Sequence, residues 1–227
     1  MREESRQLPE VGIAVATIKT FQARRFRGTY ADLLASGPYA AATRFFLDEL
    51  YSDRNYAERD AQFARIAGAV ERLFPRDVGE TAAALAQLHA LTESLDHAMA
   101  RALPARALDV ASYVQAWRAG GRRPAREQQL QRVVALGCEL SRLTRLPGLR
   151  MMLRMMRGPA SAAGLSQLQR FLESGFDTFA AISKSRTGAD AFLETVRTRE
   201  LRLLQLLFEA DTVACETELT RTLGQAR

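Results

Sequence analysis

Cysteine, histidine and tryptophan are nearly missing from this 227-residue chain, which holds two, two and one of them. Cys138 and Cys215 sit on separate expected helices without metal-ligand spacing around them, so a disulfide framework or a zinc ribbon is unsupported and buried free thiols are expected. No apolar run reaches the roughly 18 residues that a membrane-spanning helix requires. The opening Met1-Arg-Glu-Glu-Ser-Arg6 has neither the apolar core nor the cleavage pattern of a signal peptide, and a cytoplasmic protein is expected. Alternating β-branched runs are also missing, so no sheet is expected. HExxH, paired Glu-x-x-His, GxxxxGK and GxSxG do not occur, which removes the common hydrolase, di-iron and nucleotide-binding signatures. No cofactor and no metal site is indicated, and a non-enzymatic role is the leading expectation.

What is present is helix-forming and basic. Residues are 47% hydrophobic and 26% charged, and Ala, Leu, Arg, Glu and Gln dominate. Breakers divide the chain into about nine helices: Pro9 to Leu34, the segment after Ser36-Gly-Pro38, one ending near Phe74, Asp77 to Ala102, and one from Pro104 to Gly120-Gly121. The remainder run from Pro124 to Pro147, through a short Met-rich stretch, from Pro159 to Ser183, and from Ala189 to Thr212 or beyond. The expectation is an all-α multi-helix bundle without a sheet. It forms one domain, residues 1–227, or two intimate subdomains meeting near 103–124. Apolar stripes support this: Leu88, Leu91, Leu95 and Met99; Leu165, Leu168, Leu172, Phe176 and Phe179; Phe192, Val196, Leu203 and Leu207. Gly137 and Gly175 lie within such stripes and are expected to admit close helix contacts.

The octapeptide Arg44-Phe-Phe-Leu-Asp-Glu-Leu-Tyr51 sets three charges inside a segment apolar on most sides. A helix of that kind is expected to be largely buried, and its carboxylates then need partners. Arg199 and Glu200 flank the last apolar stripe in the same manner. Arg44, Asp48, Glu49, Tyr51, Arg59, Arg199 and Glu200 are therefore candidates for a buried charge network or pocket, with Glu49 or Asp48 expected to meet Arg199 or Arg59.

The whole chain carries a net charge of +6, yet residues 118–170 hold eleven Arg and two acids, a local excess of +9. Arg122, Arg123, Arg150, Arg154 and Arg157, with Met152 and Met156, are expected to form an anion-facing surface around a short basic amphipathic helix. An acidic protein or an anionic membrane would suit it, nucleic acid less so, because no base-reading side chains can be named. A small-molecule ligand and homo-oligomerisation are further partner expectations. His89, Glu93 and His97 follow at i, i+4 and i+8, but away from the Leu88 stripe, and are expected on a solvated face.

The run Thr29-Tyr-Ala-Asp-Leu-Leu34, the octapeptide, Arg59-Asp60, Arg157-Gly-Pro-Ala160, Phe171-Leu-Glu-Ser-Gly-Phe176 and Arg199-Glu200 together resemble the bacterial family named for its FFLEELY motif, with Asp48 where that motif has Glu. The resemblance implies an all-helical protein and carries over no catalytic residue. Two functional expectations result: a binding or interaction protein with an Arg/Met-rich surface, or a small-molecule binder or enzyme with an interior pocket lined by Arg44–Tyr51.

Overall fold

In a computed structural model, residues 9–35, 37–49, 75–103, 108–185 and 188–226 are described, and every regular element within them is a helix. These are α1 (Pro9–Thr29), α2 (Ala31–Ala35), α3 (Ala40–Glu49), α4 (Arg76–Ala102), α5 (Val110–Gly120) and α6 (Arg123–Leu143), followed by α7 (Leu149–Met155), α8 (Arg157–Ala162), α9 (Ser166–Ser183), α10 (Gly188–Glu209) and α11 (Thr212–Gln225). The class is all-α, as the sequence indicates. The number exceeds nine because three runs read as continuous are interrupted. Gly164 adopts a φ of 74°, a left-handed conformation that ends α8. Asp211 accepts a hydrogen bond from the Ala214 N–H at 2.8 Å, starting α11 afresh. At Tyr30 the interruption is slight, since Tyr30 N–H still donates to Phe26 O and Leu34 N–H to Tyr30 O. The helix expected to end near Phe74 lies outside the described residues.

Local chemistry also fixes where α5 and α6 begin. Asp109 accepts from the Ser112 N–H at 2.8 Å while Ser112 Oγ accepts from the Asp109 N–H at 2.9 Å, a reciprocal cap that opens α5. Gly121 and Arg122 then take φ values of 57° and 60°, turning the chain within two residues, and Pro124 sits in the first turn of α6.

Two apolar cores form along the long helices. The first gathers Phe45 and Phe46 of α3, Leu85 and Leu88 of α4, Val133 and Leu140 of α6, Phe171 and Phe179 of α9 and Phe192 of α10. Its rings interlock, Phe45 on Phe171 and Phe46 on Phe192, each with centroids 5.4 Å apart. The second gathers Ile18 of α1, Met99 of α4, Tyr113 and Trp117 of α5, Leu207 of α10 and Cys215 and Leu219 of α11. Burying a large apolar side chain of this kind contributes about 1.5–3 kcal/mol, so each core alone supplies a substantial driving force. α1, α4 and α10 contribute to both cores, and the level between the two is polar.

Close approaches hold the helices in place. A Cβ on Gly137 would collide with Leu193 Cδ2, and one on Gly175 would meet Phe45 at 3.1 Å and Leu140 at 3.3 Å. Both glycines thus have the packing role expected of them. Gly28 is tighter still: its Cβ would overlap the backbone oxygen of Thr222, where α11 crosses α1.

Candidate functional site

The polar level between the cores arises because four helices each place polar side chains in a position that their apolar stripe would otherwise fill. On α4 the stripe Leu85, Leu88, Thr92, Asp96, Met99 keeps the 3–4 spacing throughout, and Asp96 is only 1% exposed. Arg126 leads the α6 stripe of Leu130, Val133, Gly137 and Leu140 and is 6% exposed. Gln22 and Arg25 follow Ile18 on α1, and Glu200 lies between Val196 and Leu204 on α10. Gln22, Arg25, Asp96, Arg126 and Glu200, with Lys19, Phe26, His89, Thr92, Glu93, Trp117 and Gln129, line a partly open cavity of about 70 Å³.

Its ionic groups are unevenly matched. Arg25 donates from one terminal nitrogen to both oxygens of Glu200, at 2.7 and 2.8 Å, and the Tyr30 hydroxyl donates to the same carboxylate at 2.9 Å. Burial works against the charge of Arg25, but Glu200, Tyr113 and Tyr30 together outweigh it and the guanidinium holds its proton more tightly than usual. Lys19 and Glu93 form a second ion pair, with Glu93 the more exposed partner.

Asp96 and Arg126 are the less satisfied pair. Asp96 accepts one hydrogen bond among the described residues, from Gln22 Nε2 at 3.2 Å. Burial raises its pKa to about 6, with Arg126 and Lys19 opposing the shift. Arg126 makes no ion pair among the described residues; its hydrogen bonds, to Gln129 Oε1 at 3.4 Å and Leu95 O at 3.5 Å, are long. Burial lowers its pKa accordingly. Its guanidinium stacks 4.2 Å from the centroid of the Trp117 ring. Two further buried donors, Trp117 Nε1 and Arg25 Nε, have no acceptor among the described residues. The cavity therefore has a surplus of donors, an arrangement that favours an acceptor-rich occupant.

Of the network candidates among the described residues, only Glu200 lines this cavity. Arg199 turns to the other side, donating to both Asp32 oxygens at 2.7 Å and to Thr29 O at 2.8 Å, and does not meet Asp48 or Glu49. The physical reason lies in α3: it turns Phe45, Phe46 and Leu47 into the first core, which leaves Arg44 and Asp48 exposed and Glu49 half-buried. Tyr51 and Arg59 lie outside the described residues. The histidine expectation is corrected. His89 and His97 are 4% and 7% exposed, because α4 packs against α1, α5 and α6 and so has little free face. The thiol expectation holds for Cys215 alone, since Cys138 is exposed.

Among the described residues, four of the eleven arginines of residues 118–170, Arg123, Arg142, Arg150 and Arg157, find acids contributed by other parts of the chain. Arg123 pairs with Glu127 and Glu209, Arg150 with Asp177, and Arg157 with Glu173, while Arg122 donates to Ser94 Oγ at 2.8 Å. On α7 the apolar side docks inward, Leu149 and Leu153 buried and Met152 and Met156 packed against the first core. The exposed side carries Met151, Arg154 and Met155 instead. A separate open groove of about 1030 Å³ between α1, α2, α10 and α11 carries Arg27, Arg199, Arg202 and Arg221, two of them paired with Asp32 and Glu218.

Arg25, Asp96 and Arg126 had no place among the sequence candidates. The readable signal was their position: each sits in register with an apolar stripe, and a charge held there must be paired, neutralised or given a ligand.

These features define an all-helical protein with two apolar cores and a polar cavity between them. The chain belongs to the family described as Domain of unknown function (DUF8198), which matches residues 1–214. No curated protein and no solved structure matches it. Among the described residues, no helix is long and apolar enough to cross a membrane.

Proposed function

We propose that this protein is a non-enzymatic binder of a small polar molecule, taken into the cavity between α1, α4, α5, α6 and α10. The observation that carries this reading is the donor surplus: Arg126 with two long hydrogen bonds, and Trp117 Nε1–H and Arg25 Nε–H without acceptors among the described residues, on three residues that line one cavity. Each buried polar group left unsatisfied costs about 1–3 kcal/mol, so an occupant that satisfies several of them at once gains specific affinity. The resemblance to the bacterial FFLEELY-motif family and a cytoplasmic location belong to this proposal. The pocket is not the one expected around Arg44–Tyr51, although Glu200 belongs to both expectations.

A thermal-shift screen of purified protein against small metabolites tests the reading. At least one compound is expected to raise the melting temperature of the wild type and to leave Arg126→Gln unmoved. A screen in which no compound shifts the wild type, or in which every shift survives in Arg126→Gln, refutes it.

A second reading, contact with an anionic membrane, is favoured by the 64% exposure of both Met151 and Met155 on either side of Arg154. Sedimentation with anionic lipid vesicles is its test. Binding that is lost in the triple variant Met151→Ser, Arg154→Glu, Met155→Ser supports it, and no wild-type binding removes it.

A further inference from the structure

We propose that the cavity takes a small carboxylate of about the size of formate or acetate, bound by Arg126 and the Trp117 Nε1–H, and that it enters together with one proton from solvent, which is held on Asp96. This rests on the binding reading above and adds the ligand class and its linkage to protons.

Size and chemistry lead to the class. A cavity of about 150 Å³ admits benzene, with its six heavy atoms. The space here is about 70 Å³, near half of that, so an occupant of roughly three or four heavy atoms fits. Trp117 Nε1 and Arg25 Nε lack acceptors, and of the two lining guanidinium groups Arg126 is the one without an ion pair among the described residues; its fork matches the two oxygens of a carboxylate. The flat face of Arg126 is fixed against the Trp117 ring, so the guanidinium is held in place before a ligand arrives.

Charge balance then requires the proton. Lys19, Arg25 and Arg126 face Glu93, Asp96 and Glu200 around the cavity, three of each sign. An entering anion leaves a net negative charge beside the buried Asp96 and Arg126 unless one carboxylate is neutralised. Glu200 already accepts from Arg25 and Tyr30, and Glu93 is paired with Lys19. Asp96, with one hydrogen bond and 1% exposure, is the carboxylate left to accept a proton. The other titratable groups around it are His89 and His97 of α4 and Tyr113 of α5, with Gln22, Trp117 and Gln129 as neutral neighbours; Arg122 acts on Arg126 from the adjoining turn. Because burial already holds the Asp96 carboxyl near a pKa of about 6, the proton is available in mildly acidic solution.

Isothermal titration of the full chain with sodium formate and sodium acetate, from about pH 5 to about pH 8, tests the proposal. If only the Asp96-protonated form binds, the dissociation constant rises about tenfold per pH unit above a pKa of about 6. In Asp96→Asn, binding is expected to persist at about pH 8 with the slope gone. Arg126→Gln is expected to abolish binding, and Trp117→Phe, which keeps the ring and removes the donor, to weaken it several-fold should Arg126→Gln fail to fold. Three results overturn the proposal: no heat with either carboxylate near pH 5, wild-type affinity independent of pH, or a slope retained in Asp96→Asn, which assigns the proton to His89 or His97. Saturable binding of phosphate or a neutral amide in place of the carboxylates overturns the ligand class and leaves the binding reading intact. Binding of none of these probes, together with a thermal screen without shifts, overturns both.

Discussion

Replacing Asp96 by asparagine removes the one carboxylate that, among the described residues, is buried without an ion pair, and it keeps the shape of the side chain. In the folded protein the Asp96 pKa is raised from 3.8 to about 6, chiefly by burial. One pKa unit corresponds to 1.36 kcal/mol, so the two-unit rise amounts to about 3 kcal/mol at full effect. The sign follows from proton binding: between these two values the folded state holds a proton that the unfolded chain has released, so stability falls as pH rises. Below the unfolded value the ionisation cost is absent, and above the folded value it is fully expressed. An amide at this position does not titrate and carries no such cost. The stability of Asp96→Asn minus that of the wild type is therefore expected to grow by about 3 kcal/mol from below pH 4 to above pH 6, and then to level off. Urea unfolding of both proteins at matched pH measures the difference, and subtraction cancels the titration of distant acids. A difference that stays flat, or that shrinks with rising pH as for a salt-bridged carboxylate, refutes the reasoning.

Other perturbations give further expectations. Glu200→Gln leaves the 4%-exposed Arg25 without its counter-charge and is expected to cost about 3–5 kcal/mol, while the double variant Arg25→Met, Glu200→Leu recovers much of the loss. Thermal melts of the three proteins decide it, and equal losses in single and double variants contradict it. Gly28→Ala drives a methyl against the Thr222 carbonyl and is expected to destabilise by about 1–3 kcal/mol, since backbone rather than a side-chain tip must yield. Gly224→Ala, with nothing near its added Cβ, serves as the control and should melt within about 0.5 kcal/mol of the wild type.

The helices were legible because their stripes are long and regular. Leu88 and Met99 on α4, Leu165, Leu168, Leu172, Phe176 and Phe179 on α9, and Phe192, Val196 and Leu207 on α10 reach a core, while Leu91 on α4 is only half-buried. Periodicity gives the direction of a face, but it does not say how many neighbours a helix has. His89 and His97 were misassigned for that reason, on a helix covered from several sides. The octapeptide was legible in its aromatics, which are buried, but Arg44 and Asp48 are exposed on a ten-residue helix, and the expected pairing with Arg59 lies outside the described residues. Net charge over a sequence window was misleading as well, because Asp177 and Glu209 reach Arg150 and Arg123 from other helices. The cavity could have been found by asking which polar residues interrupt an apolar stripe, and at what height along each helix. Arg25, Asp96, Arg126 and Glu200 answer that question. Their convergence depends on how the helices pack, which no single stripe contains.

Trp117 is the only tryptophan in the chain and lines the cavity, so its emission reports on that space directly. Titration with small carboxylates near pH 5 is expected to give a saturable change in its intensity or wavelength that is missing in Arg126→Gln. Emission that stays constant through the titration, or that changes alike in both proteins, would contradict the account of this cavity as a carboxylate-binding site.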